Sequence, residues 1–259
     1  MATVHALTSY PIKGCAGVVV ERAELTATGL PHDRLFAVVK PDGSTAWQGE
    51  LPRLAVVSGR LHADTKLELS APGAGELVLN VAVDGEPRPV DVEKWPGAGI
   101  DQGDEAAEWL SGVVGKPVRL VREPDRASRH EDTTALLVLS LSSLEGLNAR
   151  IAARGANPVP MERFRPNIVI SGWDGPHTED RVDRMTVGGA EIGFGELAIR
   201  CAVTLVDQAT GVRVGPEPLR TLADYRREPD GVSFGLKAAV LTPGEIAVGD
   251  EVTVTGWRG

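Results

Sequence analysis

Residues 161–172 read MERFRPNIVISG, and they join a basic segment directly to an apolar run. The run IVI has the branched side chains and the length of a buried β-strand. Pro166 disfavours the helical conformation for Arg165, which favours an extended backbone here. In an extended segment the period of two puts Arg163, Arg165 and Asn167 on one face. The sequence therefore predicts a strand that presents two guanidinium groups and an amide together.

This predicted face is a candidate anion site. The planar fork of an arginine side chain matches phosphate oxygens two at a time, so the face could bind a phosphate group. Arginines at a strand edge also commonly remain solvated and pair with local carboxylates. The segment alone leaves both interpretations open.

Similar short apolar segments recur along the chain, between 30 glycines and 18 prolines. They are rich in Val, Ile and Leu at strand-like lengths, and they read VVVERAELTA, LFAVVK, LAVVSGRL, LELSA, LVLNVAV, ALLVLSLSS and NIVISG. Helical spacing is confined to residues 104–114, to a segment from Ser142 or Ser143 to residue 155, and to residues 218–226. We therefore predict a mainly β protein with a few helices, of the α+β class.

The chain length of 259 residues suits one large domain or two small ones. A polar stretch without strand or helix periodicity, EPDRASRHEDTT at residues 123–134, separates two strand-rich blocks. We therefore predict one domain over residues 1–122 and a second over residues 123–259.

Charge and cysteine content exclude several classes of protein. The 36 acidic and 27 basic residues give a net charge of −9, which opposes general binding to nucleic acid or to acidic lipid. Neither a secretory signal nor a run of ~18 apolar residues is present, so we expect a cytoplasmic protein without a membrane partner. Two cysteines are too few for a disulfide framework or a zinc site.

Cys201 lies inside an apolar segment, ELAIRCAVTLVDQATG. A lone cysteine in such a strand is either a small core residue or a soft thiolate ligand for a transition metal. Arg200 would favour the thiolate if its charge lay near the sulfur. Adjacent residues of a regular strand point to opposite faces, so this effect requires an irregular backbone or the end of the strand.

Two segments of the N-terminal block put basic side chains beside turn residues, where ligands are commonly bound. Lys13 lies in SYPIKGCAG, and Arg34 lies in GLPHDRLFAVV. Asp33 and Arg34 can equally be a structural ion pair. Nothing near Cys15 in the sequence would activate its thiol, so we interpret it as a core residue.

Taken in order, the segments resemble the MOSC proteins that carry an N-terminal β-barrel domain. The resemblance covers nearly the whole chain, through YPIKGCAG, LTATGLPHDRLFAVV, PRLAVV, GDEAAEWLS, VLSLSSLEGLNARI, RFRPNIVISG, TED, RCAVTLVDQATG, EPLRTLADYR and FG followed by GEIAVGDEV. It implies a MOSC β-barrel domain preceded by a β-barrel-like N-terminal domain. Members include the amidoxime-reducing components and a bacterial relative that receives electrons from flavodoxin or ferredoxin.

In that family a single protein cysteine binds the molybdenum of a pterin cofactor, and the motif position assigns this role to Cys201. The resemblance implies that the molybdenum cofactor is held by Lys13, Arg34, Arg165, Asn167 and Arg200. Asp132 matches an acidic position near the family's site and is a candidate for proton relay. The chain departs from the family at Ala198, where many members have the first cysteine of a CxRC pattern, and at Gly14, where they have serine.

The resemblance implies an oxidoreductase that reduces amidoximes, hydroxylamines or N-hydroxylated bases. Electrons would come from a separate protein: a ferredoxin, a flavodoxin, or a cytochrome b5-like protein with its reductase. The alternative is a carrier of the cofactor or of sulfur, without reductase turnover. Some MOSC proteins are sulfurases that acquire sulfur from a pyridoxal-phosphate domain, so the resemblance also carries an association with pyridoxal phosphate.

Overall fold

A computed structural model of the chain describes residues 1–85, 87–92, 95–123 and 135–259. The described N-terminal half, up to residue 123, contains one helix, α1 (Asp104–Val114), and the strands β1 (Ala2–Ser9), β2 (Ile12–Lys13), β3 (Val18–Val20), β4 (Arg22–Leu25), β5 (Phe36–Val39), β6 (Ser58–His62), β7 (Lys66–Ala71), β8 (Gly75–Asn80), β9 (Pro87–Val92), β10 (Trp95–Asp101) and β11 (Arg119–Arg122).

The C-terminal half, from residue 135, contains the helices α2 (Leu141–Ala153) and α3 (Leu219–Tyr225) and the strands β12 (Leu136–Ser140), β13 (Ile168–Ser171), β14 (Val182–Val187), β15 (Ala190–Arg200), β16 (Val206–Asp207), β17 (Val212–Arg213), β18 (Arg227–Glu228), β19 (Gly231–Thr242), β20 (Gly244–Ala247) and β21 (Glu251–Trp257). Short 3-10 helices form at Pro52–Val56, Met161–Arg163, Thr178–Arg181 and Ala202–Leu205. No helix in the described ranges is long and apolar enough to cross a membrane.

Strand β1 and six strands of the C-terminal half close into a seven-stranded barrel. Their order is β12, β13, β1, β21, β14, β15 and β19, and pairing of β12 with β19 completes the ring. The interior is apolar, and Val4 and Leu7 of β1 both join its core although they are three residues apart, because an irregularity between Val4 and Ala6 shifts the register. The predicted mainly β architecture with few helices is confirmed.

The N-terminal strands take part in both halves of the molecule. Thr3 of β1 pairs with Ser171 of β13, and Ala2 pairs with Val252 of β21. Strand β3 pairs with β1, and β4 pairs with β20. The boundary between residues 122 and 123 stays a prediction, and three strands that precede it lie against the second block.

The rest of the N-terminal half has a core of its own. A five-stranded sheet in the order β2, β5, β11, β10 and β9 shares this core with a three-stranded sheet of β6, β7 and β8 and with helix α1. Each part supplies a large buried side chain to this core: Phe36 from the five-stranded sheet, Leu67 from the three-stranded sheet and Leu110 from α1. This packing fixes β2, which ends at Lys13, and β5, which begins two residues after Arg34.

The three predicted helices are present with small shifts at their ends. Helix α1 stops at Gly115, whose left-handed backbone is the usual helix terminator. Helix α2 begins earlier than predicted because Ser140, rather than Ser142, is its N-cap and accepts a hydrogen bond from the Ser143 amide. Part of the predicted strand at residues 54–61 is instead the 3-10 helix that begins at Pro52.

The predicted extended face at residues 163–167 is wrong. Residues Met161–Arg163 form a 3-10 helix, and Arg165 has a left-handed backbone with φ of +57°. The turn places the Phe164 ring 4.4 Å from the ring of Phe234 in the core beneath α2. Burial of this aromatic pair outweighs the extended preference before Pro166, so the strand starts only at Ile168.

Gly235 in β19 offers a test of barrel packing. Its φ is +91°, and a Cβ there would lie 2.8 Å from Leu139 Cδ2 and 2.9 Å from the backbone oxygen of Val138. We expect Gly235→Ala to lower the free energy of unfolding by about 2–4 kcal/mol through strain and overpacking. Gly112→Ala on exposed α1, where no atom lies within 4 Å, should stabilise by about 1 kcal/mol. Equal urea midpoints for both variants would contradict this account.

Candidate functional site

The candidate site lies where the two halves meet, around the buried side chain of Tyr10. The guanidinium carbon of Arg165 is 4.3 Å from the centroid of the Tyr10 ring, and that of Arg34 is 5.4 Å away. The hydroxyl of Tyr10 donates a hydrogen bond to the carbonyl of Pro166 at 3.2 Å. Burial raises the pKa of Tyr10 to about 12, although the two arginines oppose this. The phenol therefore stays protonated and acts as a neutral platform for both cations.

Asp33 organises one side of the site. It is fully buried, accepts a hydrogen bond from the Tyr10 amide at 2.7 Å, and forms an ion pair with Arg34. The Asn167 amide donates to Asp33 Oδ1 at 3.1 Å and accepts from Arg34 Nη1 at 3.3 Å and from the Leu137 amide at 3.1 Å. The Asp33–Arg34 ion pair proposed as an alternative from the sequence is therefore present. Asn167 contacts protein atoms here and holds Arg34 in place.

Arg165 has a different environment from Arg34. Only 9% of its surface is exposed, and its Nη1 lies 3.4 Å from the Gln208 amide oxygen. Among the described residues it forms no ion pair with a carboxylate. Burial lowers the pKa of Arg165 below its usual range. Asp33 acts on this buried cation electrostatically, and the side-chain hydrogen bond of Arg165 within the described residues goes to the neutral amide of Gln208.

A pair of glutamines joins the two halves beside Arg165, and the sequence did not predict it. Gln208 Nε2 donates to Gln48 Oε1 at 2.8 Å, and Gln48 Nε2 lies 3.1 Å from Gln208 Oε1. Gln48 is fully buried and also donates to the carbonyl of Gly14 at 2.7 Å. Lys13 immediately precedes Gly14 at the end of β2. The glutamine pair therefore connects the turn after Lys13 to Gln208, which contacts Arg165.

Arg200 and Cys201 lie where strand β15 ends. The strand stops at Arg200, and Cys201 opens the 3-10 helix Ala202–Leu205 with its side chain exposed. Arg200 Nη2 donates to the Phe164 carbonyl at 2.6 Å, while its buried Nε has no hydrogen-bond partner in the described structure. Burial lowers the pKa of Arg200 to about 10, and Cys201 acts in the opposite direction. The end of the strand thus meets the condition for Arg200 to influence the thiol.

A cavity of about 550 Å³ opens beside Arg165, within the size range of small-molecule sites. Its wall is mostly apolar and includes Tyr10, Met161, Pro166, Asp207 and Gln208.

Comparison with known proteins defines the relationship of this chain. The MOSC N-terminal beta barrel domain matches residues 1–117, and the MOSC domain matches residues 125–253. The human mitochondrial amidoxime-reducing component 1 is 35% identical, over 99% of this chain and 84% of its own length. The cattle mitochondrial amidoxime reducing component 2 is 34% identical, over 97% of this chain and 83% of its own. The chain belongs to the MOSC family.

A tomato molybdenum cofactor sulfurase is also similar to this MOSC protein. It is 29% identical over 99% of this chain, but the match covers only 36% of the sulfurase. The two matching family models describe MOSC domains. The predicted association with pyridoxal phosphate therefore finds no support.

The remaining candidate residues of this MOSC protein are accounted for as follows. Cys15 is fully buried in the N-terminal core, and burial raises the pKa of its thiol to about 12. A neutral buried thiol agrees with its interpretation as a core residue. Asp132 lies outside the described residues, so its role as a proton relay stays a prediction.

Proposed function

We propose that this MOSC protein binds the molybdenum cofactor between its two halves and works as a reductase of N-hydroxylated compounds. The observation that carries the proposal is the buried guanidinium of Arg165, which has no carboxylate partner among the described residues and acts electrostatically on Arg200, the residue before the exposed Cys201. Similarity to the amidoxime-reducing components supports the substrate class, which comprises amidoximes, hydroxylamines and N-hydroxylated bases.

The cationic residues fit an anionic group such as the phosphate of a pterin. Arg165 is buried without a carboxylate, and Arg200 keeps a buried Nε without a partner in the described structure. Arg34 retains a side chain that is 30% exposed despite its pair with Asp33. Charged hydrogen bonds from these groups would satisfy phosphate oxygens. We assign Lys13, Arg34, Arg165 and Arg200 to this role, with Asn167 as the residue that orients Arg34.

The thiol of Cys201 fits the ligand of a soft metal. It is exposed at the end of a strand, in contrast to Cys15, whose sulfur is enclosed by core side chains. A thiolate suits a transition metal that is already held by other sulfur atoms. When bound, the molybdenum cofactor supplies the two-electron chemistry that removes oxygen from nitrogen. The protein contributes the sulfur ligand, the cations and the cavity beside Arg165.

Reduction requires an electron donor, and we propose that it is a separate protein. A ferredoxin, a flavodoxin or a cytochrome b5-like protein with its reductase would fill this role. We further propose that the protein works in the cytoplasm on small N-hydroxylated molecules.

Metal and pterin analysis tests the proposed function directly. Protein purified from a host with intact cofactor synthesis should contain about one molybdenum and one pterin per chain, and protein from a host that lacks this pathway should contain neither. The loaded protein should also reduce benzamidoxime with a reduced dye as electron source. Absence of molybdenum would overturn cofactor binding, whereas stoichiometric cofactor without turnover would overturn the reductase and leave a carrier.

A further inference from the structure

Arg163 forms a network with the segment that follows Cys201. Its side chain is buried, with 6% exposed, and its Nη1 donates to the carbonyl of Thr204 at 3.0 Å. The nearest described carboxylate, that of Asp207, lies at 4.0 Å from Nη2. Its Nε has no partner within the described residues. The hydrogen bond to Thr204 is therefore closer than the ion pair with Asp207, and it is made by a guanidinium whose burial costs free energy.

Thr204 links Arg163 to Cys201 through hydrogen bonds. Its amide donates to the Cys201 carbonyl at 3.1 Å, and its hydroxyl donates to the same carbonyl at 2.9 Å. Thr204 is itself buried, with 1% exposed. The backbone amide and the side-chain hydroxyl of Thr204 thus both hold the carbonyl group of Cys201.

The same short turn also holds the residue before the cysteine. Phe164 follows Arg163, and its carbonyl accepts the 2.6 Å hydrogen bond from Arg200. Residues 163 and 164 therefore contact the chain on both sides of Cys201, at Arg200 and at Thr204. The Arg163–Thr204 hydrogen bond is buried and the Arg200–Phe164 hydrogen bond is partly buried, and both limit how far the peptide of the exposed thiol can move.

We infer that Arg163 is a positioning residue, which sets the place of the Cys201 sulfur through Thr204 without contacting the metal or the substrate. The inference rests on the proposed function, in which Cys201 is the molybdenum ligand. It adds a purpose for Arg163 that differs from that of Arg165, two residues later, whose charge faces the anion site.

The first test uses Arg163→Met, which keeps an unbranched apolar stem and removes the guanidinium with its charge and donors. In cofactor-free protein, NMR should show the Thr204 amide exchanging with solvent roughly tenfold faster, because its turn loses a charged hydrogen bond. In loaded protein, molybdenum per folded chain should fall by a similar factor, and the Mo(V) resonance of the remaining metal should be altered. Arg163→Lys, which retains a charged donor, should recover part of each effect.

Arg119→Met is the control. Arg119 is also a partly buried arginine, paired with Asp101 and Asp104, and it lies on β11 in the N-terminal sheet, where its strand partner is Val39. It should lower the melting temperature without changing the Thr204 exchange rate or the Mo(V) resonance. The same changes in this control would reduce Arg163 to general stability and overturn the inference.

Thr204→Val provides a variant that leaves every arginine in place. It removes the hydroxyl donor to Cys201 and keeps the shape of the side chain, so it should fold even if Arg163→Met does not. We expect a several-fold loss of molybdenum, smaller than that of Arg163→Met. Wild-type molybdenum content in both this variant and Arg163→Met, with an unchanged Thr204 amide in the latter, would overturn the inference. Lack of molybdenum in the wild-type protein would instead overturn the proposed function, and amide exchange would still test Arg163.

Discussion

Cys201→Ser should lose its molybdenum and its reductase turnover while remaining folded. A hydroxyl is a harder and far less acidic donor than a thiol, so it does not replace a thiolate on a soft metal. The side chain is exposed, and the change therefore removes little packing. Molybdenum per chain, benzamidoxime reduction and the urea midpoint should be measured on the same preparation.

Cys15→Ser is the control for the choice of thiol. Cys15 is fully buried in the N-terminal core, so a hydroxyl there should lower stability by about 1–3 kcal/mol. Molybdenum content and turnover per folded chain should stay at the wild-type level. Loss of metal in this variant rather than in Cys201→Ser would show that the other sulfur is the ligand.

Arg165→Ala should reduce affinity for the cofactor on the order of ten- to a hundredfold. A charged hydrogen bond to a buried phosphate contributes roughly 1.5–3 kcal/mol, and about 1.4 kcal/mol corresponds to a factor of ten. Arg165 has no carboxylate partner among the described residues, so the change breaks no ion pair in that part of the chain. Pterin and molybdenum per folded chain are the quantities to compare.

Two further variants separate charge from geometry at this position. Arg165→Lys should recover only part of the loss, because an ammonium group cannot reproduce the two parallel hydrogen bonds of a guanidinium. Both variants keep the left-handed backbone at residue 165, so the strain there is common to them. Arg60→Ala, on the exposed face of β6, should bind the cofactor as wild type does. Equal cofactor content in Arg165→Ala and Arg60→Ala would show that Arg165 does not bind the cofactor.

Local pattern was sufficient for much of the fold. Alternating or continuous apolar runs marked most strands, and Gly115 marked the end of α1, because both signals depend on neighbours in the sequence. An effect of Arg200 on the Cys201 thiol was expected only at an irregular backbone or at the end of a strand, and strand β15 does end at Arg200. Position beside turn residues, rather than periodicity, singled out Lys13 and Arg34, and the family resemblance then assigned them to the cofactor.

Contacts between segments that are distant in the sequence could not be predicted from local patterns. The turn at residues 161–165 follows from the packing of Phe164 on Phe234, which lies on another strand. The pairing of Gln48 with Gln208 joins two polar residues that each look like ordinary loop positions. Asp33 was considered only with its neighbour Arg34, although it also accepts from Asn167. A single sequence does not reveal which of many polar residues meet across two halves.

The place of β1 inside the barrel has a consequence for synthesis of the protein. Ala2–Ser9 is synthesised long before its neighbours in the ring, β13 and β21, and Ala2 pairs with Val252 near the other end of the described chain. The barrel wall can therefore close only after β21 has emerged, and contacts so distant in sequence slow folding. The N-terminal sheets and α1 can form before that, while β1 waits with an open edge that chaperones or neighbouring nascent chains could meet.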